Sequence, residues 1–351
     1  WDGDYVIDMI TGVTNYSDSF TNFENVITGA GNDTITGTSG ANTINTGLGN
    51  DIISGGGGTD TINAGGGNDT VTIASGDGLD VTDGGAGTDT LVYTGTSGPI
   101  TFNLASGSLN FAGTVVANTN YENFTASNGN DTVVGTTGAN ILDGGAGTDY
   151  LIGFEGNDTL IGGGVAAVGQ GNSLQGGLGD DIYIVSTRED STLEFVGEGT
   201  DEVRTTFFIY GLQNNVENLT YTGAGTFLGV GSSDANTITG GALADFLSGM
   251  DGADILIGGN GSDELIGGAG ADQFRFNGGQ TGVDRIYDFQ AGTDKIALSS
   301  AFYTPTAVIG FVQSGAPVAL DAVSSFLYNS NTGELFYDDD ADLALIQGKN
   351  V

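Results

Sequence analysis

The chain of 351 residues is acidic and rich in glycine, with 65 Gly, 3 Pro and a net charge of −38 from 44 acidic and 6 basic residues. This charge argues against binding to nucleic acid or insertion into anionic membranes, and no apolar run reaches the ~20 residues of a membrane-spanning helix. The absence of Cys and His excludes disulfides, thiolate zinc sites and His-dependent catalytic triads.

A nine-residue repeat organises the chain in three tracts, each with Asp or Asn at one fixed position. This position holds Asp33, Asn42, Asp51, Asp60 and Asp69 in the first tract, Asp131, Asn140, Asp149 and Asp158 in the second, and Asn236, Asp245, Asp254, Asp263 and Asp272 in the third. An apolar residue follows two positions later, as at Ile35 and Leu256, and a Gly precedes most of the Asp residues by two positions. These glycines are Gly31, Gly49, Gly58, Gly67, Gly147, Gly156, Gly252, Gly261 and Gly270.

The pattern G-G-x-G-x-D-x-U-x predicts an all-β fold, a parallel β-roll or β-solenoid. A strand of about three residues and a turn of about six form half a coil, so residues eighteen apart lie on the same edge. Asp33, Asp51 and Asp69 would then form a column with a spacing of ~4.8 Å. Carboxylates stacked this closely repel one another, which favours a hard cation bound by Asp and backbone oxygens. The alternative is that Asp and Gly only form Asx-type turns, and for Asn42, Asn140 and Asn236 both interpretations stay open.

Four segments resemble parts of a known protein family. GGAGTDYLIGFEGNDTLIGG (144–163) and GGNGSDELIGGAGADQFRF (258–276) resemble repeats-in-toxin (RTX) proteins. DRIYDFQAGTDKIALS (284–299) resembles the segment that closes such arrays, and FLYNSNTGELFYDDDAD (326–342) resembles the region near the type I secretion signal. The resemblance implies a bacterial protein that is secreted to the outside or to the cell surface.

The resemblance also implies the calcium ligands. They are the Asp carboxylates of the tracts, with Asp80, Asp89 and Asp181 added, and carbonyls of the flanking glycines named above. Several Ca²⁺ ions are expected. The stretch 164–180 breaks the nine-residue register, so calcium sites there are less well supported by the sequence.

A second, longer repeat is also present in the sequence. The near copies are TNFENV (21–26), TNYENF (119–124) and NNVENL (214–219). Because their Glu24, Glu122 and Glu217 are nearly a hundred residues apart, a shared catalytic or ligand site is disfavoured and a structural role is predicted. The stretches 92–118 and 202–213 are predicted as strands, in longer coils or in edge hairpins that cover the solenoid.

These signals predict three RTX modules, 1–88, 89–200 and 201–276, followed by a C-terminal β cap at 277–351. The first module begins in the middle of the pattern at Asp4, so we expect the parent protein to continue upstream of Trp1.

Three functions are compatible with this sequence. The leading hypothesis is a calcium-dependent extracellular structural protein without catalytic machinery, such as a surface-layer, filament or matrix component, with copies of itself or cell-surface polysaccharide as partners. The second is the C-terminal folding and secretion module of a larger enzyme, toxin or adhesin. The third is carbohydrate or ice binding by a Thr-rich face, formed by Thr34, Thr36, Thr43, Thr61, Thr70 and Thr72.

Overall fold

The computed structural model describes residues 19–21, 24–74, 76–95, 98–164, 169–277, 281–282 and 284–298, and the backbone of three later strands at 308–312, 325–329 and 334–338. Two compact units divide the chain, Trp1–Gly199 and Thr200–Val351. All regular structure in these described ranges is β-strand, which confirms the predicted all-β class.

The first unit consists of short strands separated by tight turns. They are β1 (Ser19–Thr21), β2 (Asn25–Ile27), β3 (Thr34–Thr36), β4 (Thr43–Asn45), β5 (Ile52–Ser54), β6 (Thr61–Asn63), β7 (Thr70–Ala74), β8 (Val81–Asp83), β9 (Thr90–Thr94), β10 (Ile100–Asn103), β11 (Ser108–Phe111), β12 (Thr114–Thr119), β13 (Asn123–Thr125), β14 (Thr132–Val134), β15 (Ile141–Asp143), β16 (Tyr150–Glu155), β17 (Thr159–Ile161), β18 (Ser173–Leu178), β19 (Ile182–Val185) and β20 (Ser191–Leu193).

Two sheets face each other in this unit. One has the order β1-β3-β5-β7-β9-β13-β15-β17-β19, and the other has the order β2-β4-β6-β8-β12-β11-β10-β14-β16-β18-β20. Successive repeats therefore alternate between the sheets. Thr34–Thr36 pairs in parallel with Ile52–Ser54, which is eighteen residues later, as expected for a coil of two nine-residue repeats. The predicted parallel β-solenoid is confirmed.

The second unit repeats this construction. Its strands are β21 (Glu202–Thr205), β22 (Ile209–Gly211), β23 (Asn218–Tyr221), β24 (Leu228–Val230), β25 (Thr237–Thr239), β26 (Phe246–Asp251), β27 (Ile255–Ile257), β28 (Glu264–Ala269), β29 (Gln273–Phe276), β30 (Arg285–Ile286), β31 (Lys295–Leu298), β32 (Val308–Val312), β33 (Ser325–Asn329) and β34 (Glu334–Asp338). The two sheet orders are β21-β23-β25-β27-β29-β31 and β22-β24-β26-β28-β30-β34-β33-β32.

The core is a stack of single apolar residues, one from the middle of each short strand. Because side chains alternate between the faces of a strand, only the central residue of a three-residue strand points inward. Ile35, Ile53 and Val71 are in register on neighbouring strands, and each is at most 1% exposed. In the second unit Leu219, Ile238 and Leu256 are stacked in the same way, each fully buried. The sequence prediction of inward apolar residues is thus confirmed.

One insertion departs from the simple coil. Strands β10, β11 and β12 form an antiparallel meander, in which β12 pairs in parallel with β8 and β10 pairs in parallel with β14. The strands predicted within 92–118 are therefore present. Of the two predicted arrangements, the longer coil agrees with the structure because these strands continue the sheet, whereas the edge hairpin that covers the solenoid is wrong. The strands predicted within 202–213 are ordinary coil strands, β21 and β22.

Some sequence predictions fall on residues that the structure does not describe. The predicted start of the first module at Asp4 lies outside the described residues, as does most of the predicted cap after residue 298 apart from β32, β33 and β34. No helix among the described residues has the length and apolarity required to cross a membrane.

Candidate metal centre

Most described turns of the solenoid place an Asp directly before a strand, two residues before the inward-pointing strand residue. The Asp side chain is thereby buried beneath the turn. Asp51, Asp149 and Asp263 are each 1% exposed, although ionised Asp is rarely buried without partners. The nine-residue period therefore buries one carboxylate in each of most half-coils.

The buried carboxylates form hydrogen-bonded columns along both edges, which we call the carboxylate ladder. In each step the backbone N–H of one repeat donates to Oδ1 of the equivalent residue one coil later. In the first unit the donor–acceptor pairs are Asp33–Asp51, Asn42–Asp60, Asp51–Asp69, Asp60–Asp80, Asp69–Asp89, Asp131–Asp149, Asn140–Asp158, Asp158–Asp181 and Asn172–Asp190, at 2.6–2.9 Å. In the second unit they are Phe227–Asp245, Asn236–Asp254, Asp245–Asp263, Asp254–Asp272, Asp263–Asp284 and Asp272–Asp294, at 2.7–3.1 Å.

The ladder tolerates insertions in the sequence. Asp60 and Asp80 are 20 residues apart, and Asp158 and Asp181 are 23 residues apart, yet both pairs make the same bond as pairs 18 residues apart. Between Asp60 and Asp80 the two extra residues extend strand β7 (Thr70–Ala74) to five residues instead of three. The register break at 164–180 therefore leaves Asp181 in its column.

The second carboxylate oxygen, Oδ2, is what distinguishes this ladder from a simple Asx turn. It is buried and accepts no hydrogen bond in Asp51, Asp60, Asp69, Asp89, Asp131, Asp149, Asp158, Asp254, Asp263 and Asp272. A buried polar atom without a partner costs on the order of 1–3 kcal/mol, and more when it is charged. A bound cation would supply the missing partner.

Glycine makes room for these oxygens. At Gly55, five residues before Asp60, an added Cβ would lie 2.1 Å from Asp60 Oδ2. At Gly49, two residues before Asp51, an added Cβ would lie 1.9 Å from the carbonyl oxygen of Gly31 in the neighbouring coil. Any larger residue would fill the space between the carboxylate and the stacked backbone. The geometry repeated at these turns is thus an oxygen-lined cradle.

Burial also changes the acidity of the ladder. Burial is the largest cause that raises the pKa of Asp149, Asp158 and Asp263 from 3.8 to about 7, and repulsion from neighbouring carboxylates raises each further. Asp69, Asp80 and Asp254 reach a pKa of about 6 for the same reasons. Near neutral pH, ionised ladder carboxylates therefore need a positive charge beside them.

Basic residues are too few to provide that charge to every ladder carboxylate. The chain has 6 Lys and Arg residues against 44 acids. Arg188 and Arg204 pair with Glu189 and Glu202, which lie outside the ladder. The donor set that remains is carboxylate and carbonyl oxygen, which suits Ca²⁺ better than Mg²⁺, since Mg²⁺ keeps its waters and requires near-ideal octahedral geometry. The residues present therefore fit a calcium site.

Several members of the ladder were not predicted from the sequence. Asp89 N–H donates to Glu122 Oε2 at 2.7 Å, and Asp201 N–H donates to Glu217 Oε2 at 2.8 Å, so both Glu residues take the place of an Asp in the column. This placement agrees with the structural role predicted for them. Asn172 and Asp190 also belong to the ladder, and counting nine residues in each direction from Asp181 would have found them.

Comparisons with known proteins agree with this geometry. A family profile described as "RTX calcium-binding nonapeptide repeat (4 copies)" matches residues 22–53, 36–71, 125–160, 230–265, 239–274 and 248–283. The chain is also similar to the endo-1,3-1,4-beta-glycanase ExsH of Rhizobium meliloti (strain 1021), with 41% identity over 70 residues. That match covers 20% of this chain and 15% of the glycanase. The described solenoid, its buried ladder and the matched segments show that the chain carries the calcium-binding nonapeptide repeats of RTX-type proteins.

Proposed function

We propose that the chain is a calcium-dependent extracellular structural protein that folds when it meets calcium after secretion. The observation that carries this proposal is the buried Oδ2 atoms without partners, repeated from Asp51 in the first unit to Asp272 in the second. Without a cation the folded state must bury adjacent carboxylates, while the unfolded chain leaves them in water. Calcium binding then supplies part of the folding free energy.

The apolar core is too thin to replace that contribution. Most half-coils bury one inward side chain, such as Ile53 or Leu256, while about nine residues lose conformational freedom at about 1–2 kcal/mol each. A chain that stays unfolded at low calcium is suited to a narrow export channel. With no Cys, folding outside the cell requires no disulfide formation.

A calcium titration of the full chain followed by circular dichroism tests this proposal. We expect a disordered spectrum in chelator and a β-rich spectrum above roughly 10⁻⁴–10⁻³ M calcium, the range of extracellular calcium modules. Magnesium at the same concentration should be much less effective. A fully β-rich spectrum in excess chelator would contradict the proposal.

Assembly is the second part of the proposed function. We propose lateral contacts between acidic faces of neighbouring copies, bridged by calcium, as the route to sheets or filaments; cell-surface polysaccharide is the other candidate partner. Electron microscopy of the chain at high concentration, with calcium and with chelator, tests the contact between copies. Ordered arrays in calcium support a structural role, whereas isolated monomers in both conditions contradict it.

A second candidate function has its own support. The similarity to a glycanase over only 15% of that protein fits a folding and secretion module attached to a larger enzyme. On either proposal the chain itself is not an enzyme, because the buried Asp residues serve the ladder. An assay of the isolated chain on a 1,3-1,4-β-glycan tests this shared assumption, since hydrolysis by this chain alone would refute the non-catalytic assignment.

A further inference from the structure

The turns of the solenoid differ in the backbone conformation of one residue, the fourth before the ladder Asp or Asn. In nine turns whose Oδ2 lacks a partner, this residue has a positive φ between 76° and 101°. The residues are Gly47, Gly56, Gly65, Gly85, Gly145, Phe154, Met250, Gly259 and Gly268, and they precede Asp51, Asp60, Asp69, Asp89, Asp149, Asp158, Asp254, Asp263 and Asp272.

In six other turns the fourth residue before the ladder position has a different backbone conformation. Its backbone N–H donates to the side-chain oxygen, at 2.6–3.0 Å, and its φ is not positive. The pairs are Thr38–Asn42, Thr136–Asn140, Ser186–Asp190, Ser232–Asn236, Gly241–Asp245 and Gln290–Asp294. These turns satisfy the side-chain oxygen with their own backbone.

Phe154 and Met250 make the contrast informative. They are bulky residues at φ values of 92° and 80°, which L-amino acids avoid because Cβ meets the neighbouring carbonyl. Thr38 and Ser232 show that a residue other than glycine can adopt the other conformation and donate to the side chain. A strained conformation that also leaves a carboxylate oxygen unpartnered persists only where another interaction compensates for it.

We propose that these are two functional classes, cation turns and self-capped turns, and that the residue four before the ladder position selects between them. This inference rests on the proposed calcium binding and specifies where the ions go. Cation turns take calcium, whereas self-capped turns take none. Asp131 is the exception to this rule: its unpartnered Oδ2 places it in the cation class, although Ser127 has no positive φ.

The two classes retain some of the calcium ligands predicted from the sequence and remove others. Asp80 and Asp181 fall in the cation class, because Gly76 and Gly177 have φ values of 92° and 101°. Asp245 falls in the self-capped class, since its two oxygens accept N–H groups from Phe227 and Gly241. The open question for Asn42, Asn140 and Asn236 is answered in favour of Asx-type turns without calcium.

The first test counts calcium ions on the full chain by native mass spectrometry, with folding checked by circular dichroism. Asp149→Asn and Asp190→Asn are matched variants, since both residues accept a ladder bond through Oδ1 in the same column of the first unit. We expect Asp149→Asn to lose at least one ion and Asp190→Asn to lose none. Equal losses from the two variants overturn the division into classes.

The second test builds a cation turn. Residues 37–42 read GTSGAN, so the double variant Thr38→Gly/Asn42→Asp creates GGSGAD, the complete motif. We expect the double variant to gain an ion, whereas Asn42→Asp alone gains none because Thr38 N–H still caps the turn. A gain by the single variant equal to that of the double variant also overturns the inference. Failure of the proposed function looks different, because the unmodified chain would then bind no calcium.

Discussion

Asp51 allows the ladder bond to be separated from the cation. Its Oδ1 accepts the N–H of Asp33 at 2.7 Å, and its buried Oδ2 has no hydrogen-bond partner. Asp51→Asn keeps the Oδ1 acceptor, whereas Asp51→Ala removes it. Both variants lose the second carboxylate oxygen, so both lose the same proposed calcium ligand. Any difference between them therefore reports the ladder bond alone.

The size of that difference follows from the geometry. In Asp51→Ala the N–H of Asp33, which is 5% exposed, loses its acceptor. An unsatisfied buried donor costs about 1–3 kcal/mol. Since each 1.4 kcal/mol is a tenfold change in an equilibrium, the Asp33 amide should exchange with solvent about 5- to 150-fold faster in the Ala variant than in the Asn variant.

Hydrogen exchange in saturating calcium, read at peptides that contain Asp33, measures this ratio. A peptide from the second unit, such as one around Asp254, serves as an internal control and should be unchanged. Equal exchange of Asp33 in the Asn and Ala variants would refute the reasoning, because the ladder bond would then contribute nothing beyond the carboxylate itself.

Three further predictions follow from burial, charge and backbone conformation. Because the pKa values of Asp149 and Asp158 are raised to about 7, the calcium-free folded chain holds protons that the unfolded chain releases. These bound protons stabilise the folded state fully below about pH 3.8, and this stabilisation is lost as the pH rises through about 7. In chelator, β structure should therefore increase on acidification over this window, and calcium binding within it should release protons; pH-independent circular dichroism and no proton release in a pH-stat would argue against it. Phe154→Gly should raise the unfolding temperature in calcium. The substitution removes about 1–2 kcal/mol of positive-φ strain from the folded state, which exceeds the roughly 0.5–1 kcal/mol by which the greater entropy of the unfolded Gly chain opposes folding. A lower unfolding temperature by calorimetry would count against strain at this site. Leu151→Ala removes a fully buried core residue and should cost about 2–5 kcal/mol in denaturant unfolding, with an unchanged number of bound ions by native mass spectrometry; loss of ions would show that core and cation sites are coupled.

The parallel solenoid could be read from the sequence because it depends on local, repeated chemistry. A Gly-rich turn, an Asp and an inward apolar residue recur every nine residues, and each unit needs only its neighbours to bury its surface. The stacking of Asp33 on Asp51 and the burial of Ile35 and Ile53 follow directly from that period. The resemblance to RTX repeats rests on the same residues.

The sequence alone determined the period, the buried positions and the acidic columns, whereas the tertiary structure decided how each column is completed. Where the chain adds residues, as between Asp158 and Asp181, only the folded coils show that the column continues. That β10, β11 and β12 continue the sheet depends on partners on both sides, β8 and β14, which are distant in sequence. The partner of the second Asp oxygen depends on the sign of φ four residues earlier. At Phe154 and Met250 that sign is opposite to what the residue type predicts, because the stacked coils, rather than local preference, hold the backbone there.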